Sequence, residues 1–314
     1  MKTTFRCLLI AACCLMTAAC TDDDFVAPSF LHIESIKLVP PTNNPITLDP
    51  GFYTSDITAC YVAIHYPGTY TMDTIGLFRM PFTVPILHNG PIDYIEVYPA
   101  VPQSGNNRML PYYSFYKPII INKHTFTLGD TLYTDTLFCR TGDTLRFDTL
   151  ATTYNITLSD IHMYELFEPT ASSQYFDSVE WVKHDPEGAC TGQGYARVHV
   201  PDTLDRVPFA INADFYIFDA TRALYLELDT RSDLQFEVYM DAAYTAGGNT
   251  MTERVMVVNP TDHWQHLYIN LGRTWAWFNH PQTFRLSFAA LNVYGKEGDI
   301  RIDNVKLIST NLLN

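Results

Sequence analysis

Trp275 and Trp277 are the residues whose type and spacing most directly suggest a binding chemistry. On a strand, side chains two apart share a face, so the pair would present two indoles side by side. Flat aromatic faces stack on the apolar faces of sugar rings, and Asn279, His280 and Gln282 follow closely as polar neighbours. The other reading is that one or both are core residues, since tryptophan is mostly buried. His263 and His266, three apart, would point to opposite faces of a strand and so would not share a metal. Cys60, Cys139 and Cys190 show no zinc spacing; Cys60 with Cys139 is the conceivable disulfide, and three buried free thiols is the other option. No GxSxG, HExxH, phosphate-cradling loop or Rossmann fingerprint occurs. A pair of carboxylates could still meet in space for glycoside hydrolysis, but among 34 acidic residues no pair stands out. The chain is therefore read as not an enzyme.

The first two dozen residues carry an address. Lys2 and Arg6 precede an apolar run from Cys7 to Met16, then the small residues Thr17-Ala18-Ala19 and Cys20. The run is too short to span a bilayer, which takes about 20 residues, and its plan is that of a cleaved signal. A cysteine at this point resembles the lipobox of bacterial lipoproteins, and Asp22-Asp23-Asp24 resembles the surface-export signal of such proteins in Bacteroidetes-type bacteria. The resemblance implies a lipid on Cys20, palmitate included, and anchoring at the outer membrane facing the cell exterior.

Of 314 residues, removal of 1–19 leaves 295 and shifts the formal charge from −14 to −16. Such a chain has no basic patch for phosphates, so no nucleic acid partner is expected. From Leu31 onward, short runs rich in Val, Ile, Thr, Tyr and Phe alternate with Pro, Gly, Asn and Asp, and no long amphipathic helix is found. The fold class is all-β: two β-sandwich domains. The boundaries read as a signal peptide at 1–19, an acidic tether at 20–30, a first sandwich at 31–155, a linker at 156–174 containing the strand-like Ile161–Phe167, and a second sandwich at 175–314.

In the first half, Tyr61–Ile64, Ile75–Leu87 with Pro81 and Pro85, Asn89-Gly90 and Tyr94–Tyr98 resemble the small Ig-like sandwich called PEGA, which implies a scaffold and no catalysis. In the second, Gly192–Val198, Leu224–Asp229, Trp264 with Tyr268–Leu271, and Ile302–Leu307 resemble carbohydrate-binding jelly rolls. That resemblance implies one structural calcium ion, with Asp177 or Glu180 at the start and Asp303 at the end as oxygen ligands. No other cofactor is expected.

The Asp-Ser/Thr-apolar triplet occurs seven times, four of them between residues 130 and 150. It resembles an O-glycosylation motif of exported Bacteroidetes proteins, with Thr131, Thr136, Thr144 and Thr149 as acceptors; good turn chemistry is the other explanation. The expected function is a surface lipoprotein whose jelly roll binds glycan. The alternative is a structural or protein-binding envelope component that docks a partner through the ring-rich segment Tyr112–Tyr116, and a glycan-degrading enzyme is the third reading.

Overall fold

A computed structural model describes residues 27–41, 49–69, 72–104, 110–128, 131–169, 175–216, 223–244, 250–278 and 281–310. Cys20 and the acidic triplet Asp22–Asp24 lie outside the described residues. Among those described, no helix is long and apolar enough to cross a membrane.

The first half contains β1 (Ser29–Leu38), β2 (Ala59–His65), β3 (Met72–Arg79), β4 (Phe82–Ile86), β5 (Gly90–Pro91), β6 (Tyr94–Ala100), β7 (Ile119–Ile121), β8 (Lys123–Leu128), β9 (Thr131–Thr136), β10 (Phe138–Cys139) and β11 (Thr144–Thr152). Sheet order β11-β1-β4 faces order β3-β2-β6-β7. Between them lies a core that includes Leu31, Ile33, Val62, Ile64, Ile95 and Val97. β1 runs parallel to β11, from Phe30 opposite Thr144 to Leu38 opposite Thr152. Pro85 sits on the edge strand β4, opposite Phe30, where a missing amide proton breaks no ladder. Pro81 falls where the chain passes from β3 in one sheet to β4 in the other.

The second half contains β12 (Ile161–Glu165), β13 (Phe176–Asp177), β14 (Glu180–Val182), β15 (Tyr195–Val200), β16 (Arg206–Ile211), β17 (Ala223–Ser232), β18 (Gln235–Ala243), β19 (Thr250–Val258), β20 (Thr261–Asn270), the helix α1 (Gly272–Trp277), β21 (Thr283–Leu291) and β22 (Gly298–Thr310). One sheet has the order β14-β15-β22-β17-β20, with β12 added along β22; the other has β13-β16-β21-β18-β19. Their facing sides bury Leu226, Leu228, Phe236, Val238, Ile269 and Ile302 among others. The chain is thus all-β, in two sandwiches.

β12 falls in the segment read as linker, yet it pairs with β22 from Ile161 opposite Ile308 to Glu165 opposite Val305. The second sandwich therefore begins before residue 175. An antiparallel sheet with one wet face should alternate buried and exposed residues. β17 does not: Leu224 through Thr230 are all buried. Its inward leucines face the sandwich core, and its outward Tyr225, Glu227 and Asp229 are covered by the first sandwich. Phe52, Val101, Tyr113, Phe115, Tyr116 and Tyr154 pack there against Tyr225, Tyr268 and Ile308, forming a third core between the domains.

Candidate functional site

Strand alternation aims Tyr225, Glu227 and Asp229 of β17, His266 and Tyr268 of β20, and Lys306 of β22 at the first sandwich. In that interface Glu227 accepts hydrogen bonds from Tyr113 Oη at 2.5 Å and Tyr154 Oη at 2.6 Å. Lys306 Nζ lies 3.0 Å from Glu227 and donates to Phe52 O at 2.9 Å and to Tyr154 Oη at 3.0 Å. His266 Nδ1 meets Asp229 Oδ1 at 2.8 Å, and its Nε2 lies 3.4 Å from Glu227 Oε2. Asn304 Nδ2 donates to the second Asp229 oxygen at 2.8 Å.

Burial favours the neutral forms of Glu227, Asp229 and His266, but their partners win. Against burial, Lys306 and His266 hold the Glu227 carboxyl well below its ordinary range. Against burial, His266 likewise lowers Asp229, and Asp229 with Glu227 raises His266. Two acidic and two basic side chains thus form one buried cluster. Asp303 differs: burial pushes it up to about 8, although the backbone amides of Asn304, Thr191 and Cys190 all donate to it.

Next to this cluster the domain junction opens into a cleft of about 660 Å³. One wall comes from the first sandwich, with Lys37, Tyr53 and Asp56; the other is the start of β20, with His263, Trp264 and Gln265. Asp229 and His266 lie at its floor. Asp56 is exposed at the rim, its backbone amide donating to Tyr268 Oη at 3.0 Å. The surrounding walls displace enough water to raise its carboxyl, against the pull of His266. Trp264 is half-buried, and its Nε1 has no acceptor among the described residues. The volume falls in the range of small-molecule sites, and aromatic faces beside a few polar groups are their usual lining.

The structure corrects the tryptophan pair. Trp275 and Trp277 lie on α1, where residues two apart point about 200° from each other. Asn270 Oδ1 accepts from Gly272 N at 2.9 Å at the start of α1, which carries the chain out of β20. Trp275 is 3% exposed and packs edge-on against Phe284; Trp277 is 72% exposed. They form no shared platform. Asn279 and His280 lie outside the described residues, and Tyr244 donates to Phe278 O at 2.6 Å.

The ring-rich segment is corrected too as a docking patch. Tyr113, Phe115 and Tyr116 are sealed in the interdomain core, and only Tyr112 is exposed. The calcium ligands do not converge. Asp177 is in the other sheet, Glu180 is bound by Arg197 at 2.5 Å, and Asp303 already accepts three amides. Among the described residues, no three His, Cys, Asp or Glu side chains are grouped to hold a metal ion.

His263 is exposed while His266 is buried, on opposite sides as their spacing predicts. Cys60, Cys139 and Cys190 are free thiols, the first two inside the first core. Thr136, Thr144 and Thr149 are exposed, and Thr149 Oγ1 lies 3.0 Å from Ser35 Oγ. Thr131 is in β9, and its side chain is outside the described residues.

Glu227, Asp229, His266 and Lys306 were not singled out as a group by the sequence. Charged residues alternating with leucine read as a solvated face, and nothing local says that another domain covers it.

No family model and no curated protein matches the chain. Solved structures do. The family 11 carbohydrate-binding module of a cellulosomal cellulase of Clostridium thermocellum is 14% identical over 47% of this chain and 95% of its own, with a TM-score of 0.32. A family 30 module from another cellulosomal cellulase of that organism is 16% identical over 48% and 91%, with a TM-score of 0.34. A family 29 module complexed with cellulohexaose is 13% identical over 48% and 92%, with a TM-score of 0.28. At these values no ligand carries over, and the sandwich fold stands on the strand order itself.

Proposed function

We propose that this chain is a lipid-anchored protein of the outer face of the outer membrane, built to bind rather than to catalyse, with glycan as its ligand. The junctional cleft carries the binding reading. Trp264 and Tyr53 offer rings for stacking, while Asp56 and Lys37 offer polar groups around them. Sugars need this combination, because their rings have apolar faces and hydroxyl edges. The non-catalytic reading is supported by Asp229, whose two oxygens are held in place by His266 and Asn304.

Lipid attachment at Cys20, and outward export through Asp22–Asp24, are proposed from the sequence. Thr136, Thr144 and Thr149, exposed on the first sandwich, are proposed glycan acceptors. The test of ligand binding is retention on a glycan array of the whole chain and of its Trp264→Ala variant. Retention lost in the variant supports the cleft. Retention equal in both moves the site elsewhere, and no retention by either removes glycan as the ligand.

A protein partner is the second reading, and it now has a different location. Leu204, Val293 and Tyr294 are exposed on adjoining loops that Asn292 ties together through Pro201 O and Asp205 O. Capture of an outer-membrane protein by the whole chain, lost in Tyr294→Ala, would favour it.

A further inference from the structure

We propose that the end of the first sandwich at which β1 begins lies against the membrane, with Leu87 and Phe138 entering the boundary between lipid headgroups and acyl chains. The inference rests on acylation of Cys20. It adds a second, non-covalent contact that the lipid anchor does not itself require.

The location follows from backbone contacts around the first described residues. Ser29 Oγ donates to Ile86 O and His88 O, at 3.4 Å each. Gly142 N donates to Pro28 O at 3.0 Å, and Phe30 N to Asp143 O at 2.8 Å. The turns at 87–90 and 140–143 therefore border the point where the chain leaves the sandwich toward its N-terminus. Six residues, 21–26, separate Cys20 from Ala27. Six residues cannot reach further than about 25 Å whatever their conformation. This end is held at high local concentration beside whatever surface the acyl chains occupy.

The side chains at this end suit that surface. Leu87 is 78% exposed, on the turn between β4 and β5, and is part of no core cluster among the described residues. Phe138 is 45% exposed on β10, with the Arg140 guanidinium 5.6 Å above its ring. An aromatic ring beneath a guanidinium is amphipathic in the sense that the interface needs: the ring enters the apolar layer while the cation meets phosphate. Within the turn at 140–143 Arg140 and Asp143 offset one another, while the acidic residues Asp22–Asp24 belong to the segment that leads to Cys20.

The test uses the whole mature chain carrying its lipid on Cys20, bound to vesicles of phosphatidylethanolamine and phosphatidylglycerol at 3:1. It is compared by hydrogen exchange with Cys20→Ser in solution. Exchange is expected to slow at least threefold across 87–90 and 138–143 on vesicles, and to stay unchanged across 292–297, the turn between β21 and β22 where Tyr294 is 82% exposed. In acylated Leu87→Glu/Phe138→Glu, still held by its lipid, that slowing is expected to vanish. Equal exchange at 87–90 and 138–143 in the two states overturns the inference and leaves the anchor standing. Slowing in solution that grows with protein concentration assigns the surface to a second copy and also overturns it. Absence of acyl mass on Cys20 overturns the anchor and the inference together.

Discussion

Lys306 Nζ lies 3.0 Å from Glu227 Oε2, and both side chains are fully buried between the two sandwiches. The pair reaches into both domains: Lys306 also donates to Phe52 O, and Glu227 accepts from Tyr113 and Tyr154. Three residues of the first sandwich and its connections thus depend on charges carried by the second. Removing one partner strands the other charge without water. Lys306→Met is expected to destabilise the protein by about 3–5 kcal/mol, and Lys306→Met with Glu227→Gln by clearly less. Urea unfolding of both variants checks this, and a single-variant loss below about 1 kcal/mol would mean that the pair is not sealed as described.

The shared core predicts that the sandwiches do not unfold separately. Tyr225, Tyr268 and Ile308 are buried only because the first domain covers them. Calorimetry of the whole chain should show one transition, with calorimetric and van't Hoff enthalpies agreeing. A fragment of residues 175–314 would lack both that cover and β12, leaving Val305–Ile308 with one side unpaired. It should bind a hydrophobic dye and precipitate, whereas two resolved transitions would contradict the shared core.

Asp303 and His266 set a pH dependence of one sign. Asp303 is raised by burial to about 8, so the native state holds a proton that the unfolded state releases near 3.8. His266 is also raised, so its contribution is full below the unfolded value of 6.5 and is lost as pH rises through the folded value. Glu227 and Asp229, lowered by their cationic partners, contribute above 4.5 and 3.8 and are lost as pH falls through their folded values. Stability from these groups should therefore peak at about pH 4–4.5, where the gain from Glu227 and Asp229 ends and the loss through Asp303 begins, and decline toward pH 8. Asp303→Asn, which cannot ionise, should show a shallower decline from pH 5 to 8 in denaturant titrations, and an unchanged slope would remove Asp303 as its source.

The two tryptophans of α1 should separate cleanly. Trp275→Ala opens a cavity beside Phe284 and is expected to cost about 3–5 kcal/mol, while Trp277→Ala should stay within about 0.5 kcal/mol. Thermal unfolding of the two variants distinguishes them. Equal losses would place Trp277 in the core.

Much of the architecture was legible because strand physics is local. Alternating runs such as Leu224–Asp229 and closing stretches such as Ile302–Leu307 announce strands whatever packs on them. Trp275 and Trp277 were misplaced because a six-residue helix between two sheets leaves little periodicity to detect. The covered face was not legible for a stronger reason. Tyr113 and Glu227 are 114 residues apart in the chain and meet at 2.5 Å, and no property of either residue alone foretells the other. The cleft is hidden in the same way, since its walls come from β1, the turn at Pro50–Tyr53 and β20 together. Tyr112–Tyr116 showed its aromatic density in the sequence, but whether those rings face water or a second domain is a tertiary fact.

β1 has one end at the chain's exit and the other, at Ile36–Leu38, in the wall of the cleft. Its ten residues, rising about 3.3 Å each, hold the cleft roughly 30 Å from that exit. They also fix how the molecule bears load. A pull on Ser29 from an anchored N-terminus runs along β1, crosswise to the hydrogen bonds that join it to β11. The eight paired positions from Phe30 to Leu38 must then shear together rather than peel apart in turn. The proposed anchor would therefore load the molecule in the direction in which β1 resists most.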